Sequence, residues 1–211
     1  MQRGRFITFE GGEGCGKSTQ IRRLAAALAA AGKKVVTTRE PGGTRIGEQV
    51  RALLKDERED PPCARGELLL FLSARAQLVE KVIRPALAAG DWVLSARFSD
   101  STIAYQGYGR GLDLDFLATA NAFVCDGLSP EITFLLDVDP ATSRMRMRRR
   151  EAATNTVPDR IEAAGEEFHR RLARGFRELA AAEPGRIVTI DGSGTVEEVG
   201  DRVWMSIKPL L

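Results

Sequence analysis

Cysteine, histidine and aromatic side chains are all scarce in this chain of 211 residues. Its three cysteines, Cys15, Cys63 and Cys125, lie far apart and form no C-x-x-C pair. That argues against a disulfide framework or a zinc site and fits a reducing compartment. The single histidine, His169 in "EEFHRR", rules out histidine-rich metal sites and reads as a solvated residue on a polar helix. Long apolar runs are missing as well: "LAAALAAAG" at 24–32 is far too short to span a bilayer. The N-terminal "MQRGRFITFEGG" enters a strand-like run at once, so no signal peptide and a cytoplasmic location are expected. A formal net charge of +2 supplies no general field for nucleic acid or an anionic membrane, so any basic function must be local. No internal repeat or linker divides the sequence, and a single domain over 1–211 is expected.

What is present is an alternation. Five short apolar, β-branched runs stand out: "RFITFE" (5–10), "KVVTTRE" (34–40), "WVLSA" (92–96), "ITFLLDV" (132–138) and "RIVTID" (186–191). None alternates cleanly, as expected for strands buried on both faces of a parallel sheet. Helix-period segments separate them, the longest from Arg65 to Gly90. Strands alternating with helices predict an α/β fold wound on a parallel sheet.

The first strand runs into "GGEGCGKST", Gly11 to Thr19, which fits G-x-x-x-x-G-K-[ST] with Gly11, Gly16, Lys17 and Ser18 in the defining places. A strand before it and an amphipathic helix from about Lys17 after it are the context such a phosphate-binding loop requires. Backbone N–H groups of Gly11, Gly12, Glu13, Gly14, Cys15 and Gly16, continuing into Lys17, Ser18 and Thr19, would face phosphate oxygens at a helix N-terminus. Lys17 would reach the β- and γ-phosphates and Ser18 would hold Mg²⁺. A nucleoside triphosphate is the expected ligand. The guanine-reading N-K-x-D is missing, since neither Asn121 nor Asn155 precedes a lysine.

Further stretches carry more specific information. "TREPGGT" (38–44) follows the second strand, and "FLSAR" (71–75) places Phe71 and Arg75 four apart on one helix face. "ARFSDSTIAYQGYGRG" follows the third strand, and "DRIE" (159–162) follows an Arg-rich segment. With the phosphate loop, this set resembles bacterial thymidylate kinase over essentially the whole chain, from Phe6 to the loop after Ile190. E-P-G-G-T, F-x-x-A-R and S-T-x-A-Y-Q-G in that order are far more specific than the loop alone.

The resemblance implies a P-loop NTPase fold on a five-stranded parallel sheet. It also implies transfer of the γ-phosphoryl group of ATP to dTMP with Mg²⁺, giving dTDP and ADP, a homodimer, and a lid over the donor. Carried onto matching positions, Phe71 would stack on thymine and Arg75 would bond its edge. Ser101, Thr102 and Gln106 would line base and sugar, and Tyr105 would crowd out a ribose 2′-hydroxyl. Arg97 would grip the dTMP phosphate, Glu13 would accept from the 3′-hydroxyl, and "IDGSGT" (190–195) would contact adenine. A flat apolar ring beside a fork of donors also suits a pyrimidine on physical grounds alone.

Such enzymes neutralise the gathered phosphates with an arginine in the phosphate loop or with arginines in the lid. Here Gly12, Glu13, Gly14 and Cys15 supply none, whereas the segment 144–160 holds Arg144, Arg146, Arg148, Arg149 and Arg150. This resembles the lid-arginine type, with Arg148 and Arg150 the expected catalytic residues and Arg160 behind them. An ordinary solvated helix end explains the remaining arginines. Cys15, where a small alanine is common, is either an apolar filler or an oxidisable thiol.

One position departs from the pattern. The family's third strand ends Asp-Arg-aromatic, with the aspartate organising Mg²⁺, but here Ala96 precedes Arg97 and Phe98. Three readings fit: a change made to trap substrates, a natural variant in which Glu10 or Asp100 takes the load, or a nucleotide-binding paralogue without chemistry. Asp100 also reads as a helix N-cap in "SDST". Another pyrimidine nucleoside monophosphate kinase fits the same residues.

Overall fold

The computed structural model describes residues 4–55, 61–154, 160–161 and 164–211. Strands β1 (Phe6–Glu10), β2 (Val35–Arg39), β3 (Trp92–Ala96), β4 (Ile132–Asp137) and β5 (Ile187–Asp191) form one parallel sheet in the order β2-β3-β1-β4-β5. The expected runs and the observed strands agree to within a residue or so at each end. Composition also predicts position. β1, fully buried, lies at the centre, whereas the edge strands β2 and β5 interleave threonine and charge with their apolar residues.

Nine α-helices connect the strands among the described residues: α1 (Lys17–Ala30), α2 (Arg45–Lys55), α3 (Ala64–Leu78), α4 (Arg84–Ala88), α5 (Ser99–Thr102), α6 (Leu114–Cys125), α7 (Pro140–Thr154), α8 (Glu166–Ala182) and α9 (Val196–Ile207). One core cluster joins Ile7, Phe9, Leu94 and Phe134 to Leu24, Leu28 and Val203 of α1 and α9. A second joins Phe6, Val93 and Phe98 to Leu78 and Ile83. Because all strands run in one direction, Glu10, Arg39, Ala96, Asp137 and Asp191 end on the same edge. Ligands of open parallel sheets bind along that edge.

The periodic stretch from Arg65 to Gly90 is not one uninterrupted α-helix. Between α3 and α4 it widens into a π-helical segment, Val79–Ile83. Pro85 accounts for this, having no N–H for the carbonyl of Lys81 and a ring that crowds it. A second π-helical segment, Ile103–Gly109, continues α5 and carries Tyr105 and Gln106. A Cβ on Gly109 would lie 2.5 Å from the Phe168 ring, so only glycine lets α8 pack directly on this backbone.

The Arg-rich segment, expected to form a lid or a solvated helix end, is helical within α7 as far as Thr154. Asp159 and Glu162 of "DRIE" and the end of the expected lid, 155–159, lie outside the described residues. Among the described residues no helix is long and apolar enough to cross a membrane.

Candidate active site

The loop after β1 turns back on itself because Gly11, Gly14 and Gly16 adopt φ of 126°, 71° and 103°. A Cβ on Gly14 would sit 2.6 Å from the Ser143 carbonyl, so α7 rests against the loop at a point only glycine permits. Ser143 Oγ also donates to the Glu13 carbonyl. Lys17 opens α1 and folds over the loop, donating to the carbonyls of Gly11 (3.0 Å) and Gly12 (2.7 Å) and to Cys15 Sγ (3.3 Å). A buried ammonium held by neutral carbonyls and a thiol is a cation for which an incoming phosphate competes. Ser18, beside it, is exposed.

Arg97 connects this loop to the other half of the site. Its φ of 73° is left-handed, an uncommon conformation for a residue with a side chain. Glu10 fixes the turn: Oε1 accepts from Phe98 N (2.7 Å) and Ser101 N (3.3 Å), and Oε2 accepts from Ser101 Oγ (2.6 Å). The turn delivers the Arg97 guanidinium to the Glu13 carboxylate, to the Gly11 carbonyl at 3.3 Å and to the face of Tyr105 at 4.7 Å. Burial and the nearby Asp100 push the Glu10 carboxyl up to about 7, against the pull of Arg97. Burial also acts to raise Glu13, but Arg97, Lys17 and Arg150 outweigh it and hold that carboxyl at about 2. Tyr105 is buried and its hydroxyl has no partner among the described residues, an orphaned donor beside the Arg97 cation.

Ala96 stands in register with Phe9 and Arg39, and its methyl group packs against the core cluster of β1 and β4. Neither candidate substitute acid is free. Glu10 is 1% exposed and occupied by the turn. Asp100 does not cap α5, as the sequence suggested. It is buried and bound by Arg186 through Nη1 (2.8 Å) and Nη2 (2.7 Å), because a carboxylate this deep needs a cation more than the helix end needs a cap.

On the side where the acceptor is expected, Phe71 is half-buried against Val50, Leu54 and Ala74. Arg75, 1% exposed, is engaged within the protein. Nε and Nη2 donate to Glu40 (2.9 and 2.6 Å), Nη2 to the Phe98 carbonyl (2.9 Å), and Nη1 to Thr102 (2.8 Å) and Asn121 (2.7 Å). These partners use all five guanidinium N–H groups. The fork expected on a base edge is thus occupied here, and such a contact would replace one of these bonds. Ser101 and Thr102 are buried beside it, and Gln106 donates Nε2 to Glu67 (2.9 Å).

Of the α7 arginines, Arg150 approaches Glu13 at 3.9 Å and Arg146 donates to the Gly192 carbonyl at 3.0 Å. The second contact touches the loop expected at adenine. Arg144, Arg148 and Arg149 are exposed. A cavity of about 560 Å³ opens between the phosphate loop, the end of β4, α7 and α8. His169 lines it and is half-buried, not the solvated residue expected. Two important carboxylates were missed. Glu40 was quoted in its motif without its partner Arg75, and Glu67 went unremarked, although it precedes Phe71 by the same four-residue step that links Phe71 to Arg75.

The arrangement brings Lys17, Glu13, Arg97, Ser101 and Tyr105 into one neighbourhood, joined to the α3 face by the Arg75 brace. It can gather anionic phosphates on the loop side and a flat, partly apolar group on the other. The chain is similar over nearly its whole length to known proteins of one family. The family model for thymidylate kinase matches residues 9–203. The thymidylate kinase of Solidesulfovibrio magneticus is 50% identical over 208 residues, covering 98% of this chain and 100% of the relative. That of Deinococcus radiodurans is 48% identical over 208 residues, covering 98% of each. The crystal structure of thymidylate kinase from Ehrlichia chaffeensis superposes with a TM-score of 0.76 at 36% identity, covering 99% of both chains. On sequence, fold and site together, the chain belongs to the thymidylate kinase family.

Proposed function

We propose that this protein transfers the γ-phosphoryl group of ATP to dTMP, giving dTDP and ADP, in the cytoplasm. The observation that carries this reading is Arg97, held left-handed by Glu10 where the phosphate loop meets the acceptor pocket. A single fixed cation there can grip the acceptor phosphate and face it toward a donor on Lys17.

In this reading the backbone of Gly11–Gly16 and the start of α1 cradle the ATP phosphates, and Lys17 leaves its loop carbonyls for the β- and γ-oxygens. Glu13 accepts from the dTMP 3′-hydroxyl once Arg97 turns to phosphate, and its low pKa keeps it an acceptor. Phe71 stacks on thymine, while Ser101, Thr102 and Gln106 line base and sugar. Tyr105 closes the space a 2′-hydroxyl would need. Arg148 and Arg150 neutralise charge on the transferred group. The exposed Ser18 hydroxyl fits Mg²⁺ as one protein donor, with phosphates and water completing the shell, and the ion would neutralise β- and γ-oxygens. Exposed Leu69, Phe116 and Phe123 on the mutually packed α3 and α6 support a homodimer through that face. Phe123→Asp is expected to halve the mass measured by sedimentation.

Initial rates of ADP release with dTMP, dUMP, dCMP and UMP test the acceptor. Preference for dTMP supports the reading, and preference for another acceptor points to a different pyrimidine nucleoside monophosphate kinase. The methyl group of Ala96 in the place of an acid favours one alternative, nucleotide binding with little or no transfer. By analogy with other preorganised charged groups, its loss costs about a hundred- to a thousandfold in rate.

A further inference from the structure

The face of α3 that carries Phe71 and Arg75 carries Glu67 one turn earlier, 1% exposed. Three side chains from two segments converge on its carboxylate. Oε1 accepts from Gln106 Nε2 at 2.9 Å and Arg110 Nε at 3.2 Å, and Oε2 accepts from Arg110 Nη2 at 3.0 Å and Arg160 Nη2 at 2.5 Å. Gln106 belongs to the π-helical segment that carries Tyr105. Arg110 ends that segment and lies over the Phe168 ring of α8 at 4.6 Å. Arg160 lies on the turn between α7 and α8.

Two features exceed what packing requires. A carboxylate only accepts, so Glu67 dictates which end of the Gln106 amide faces it: NH₂ inward, carbonyl oxygen away. Two guanidiniums on one carboxylate also leave a net positive charge, and the Nε of Arg160 is buried with no partner among the described residues. Buried ionic clusters stabilise a fold no better than well-packed apolar groups, so stability alone does not explain this one.

We infer that Glu67 is a positioning residue for the acceptor nucleotide, orienting Gln106 and Arg160 together without touching the substrate itself. The inference rests on the dTMP reading above. Losing the charge releases both partners at once. A glutamine at 67 can donate as well as accept, so the Gln106 amide is free to turn, and Arg160 is left facing Arg110 without the anion between them.

The test is calorimetric titration of dTMP, and separately of ATP, into the full chain, Glu67→Gln, Gln106→Leu, Arg160→Gln and the Gln106→Leu/Arg160→Gln double variant, with thermal melts of each. Glu67→Gln is expected to raise the dTMP Kd about tenfold and to leave the ATP Kd within about twofold. The double variant is expected to weaken dTMP binding by less than the product of its single changes, because both act through one carboxylate. A Glu67→Gln chain that melts cooperatively and binds dTMP like the parent overturns the proposal, whatever its melting temperature. If that chain does not fold, the cycle decides alone, and simply multiplying effects at 106 and 160 overturn it. A parent that binds ATP but not dTMP overturns the acceptor reading itself.

Discussion

Arg75 and Arg150 mark the two extremes of this site. Arg75, beneath the acceptor pocket, is 1% exposed and bonded through every N–H. Arg150, on α7 above the phosphate loop, has a side chain 45% exposed and approaches Glu13 at 3.9 Å. The rest of each half follows suit. Acceptor-side groups such as Glu40, Thr102 and Gln106 are buried in hydrogen bonds to Arg75 and Glu67, whereas the donor side offers a lysine resting on its own loop and a helix of mostly exposed arginines. The acceptor half is therefore built by folding, and the donor half is left for its ligand to complete. Substitutions in the first should register mainly in stability and affinity, and those in the second in turnover.

The largest effect tests the donor half. Lys17→Ala is expected to lower turnover by about a thousandfold or more while the dTMP Kd stays within about twofold. A parallel loss of dTMP affinity in calorimetry would break the division. Arg75→Met tests the acceptor half and leaves Glu40 buried without its cation, which typically costs about 3–5 kcal/mol. At this chain length that is a fall of roughly 10 °C in melting temperature. An unchanged melt would show that the brace is not part of the fold. Arg150→Met should do the opposite, lowering turnover by about a hundredfold with melting unchanged within about 2 °C.

A smaller effect concerns Glu10, which serves both halves. Burial raises its carboxyl to about 7 from an ordinary 4.5, so folding favours the protonated form. That contribution is complete below about pH 4.5 and is lost as pH rises through 7. Glu10→Gln cannot ionise, so the parent should lose about 1–3 kcal/mol relative to it between pH 5 and pH 8. Paired melts at the two pH values check the sign. A parent that gains on the variant as pH rises would mean that the turn holds a carboxylate already ionised.

The same contrast explains what was legible in the sequence. Local features were: five β-branched runs became five strands, and a glycine-rich stretch before Lys17 became the phosphate loop. The motifs placed Arg97, Tyr105 and Gln106 together because they lie on one short segment. Partnerships across the chain were not legible. Nothing local links Arg75 to Glu40, Asp100 to Arg186 or Glu67 to Arg160, since each pair meets only when distant segments of the chain pack together. Asp100 shows how this misleads, because "SDST" spells a cap and the half-buried guanidinium of Arg186 takes the carboxylate instead. Pro85 was in plain view, but its consequence, a widened turn instead of a break, depended on helix continuing on both sides.

The central claim is that the acceptor site is complete and that Ala96 limits only the transfer. It is tested most directly by measuring dTMP affinity and ADP release, with ATP, Mg²⁺ and dTMP, on this chain and on Ala96→Asp side by side. The account predicts dTMP Kd values within about twofold of each other and ADP release faster by about a hundred- to a thousandfold in Ala96→Asp. Equal and substantial rates in the two chains would contradict it.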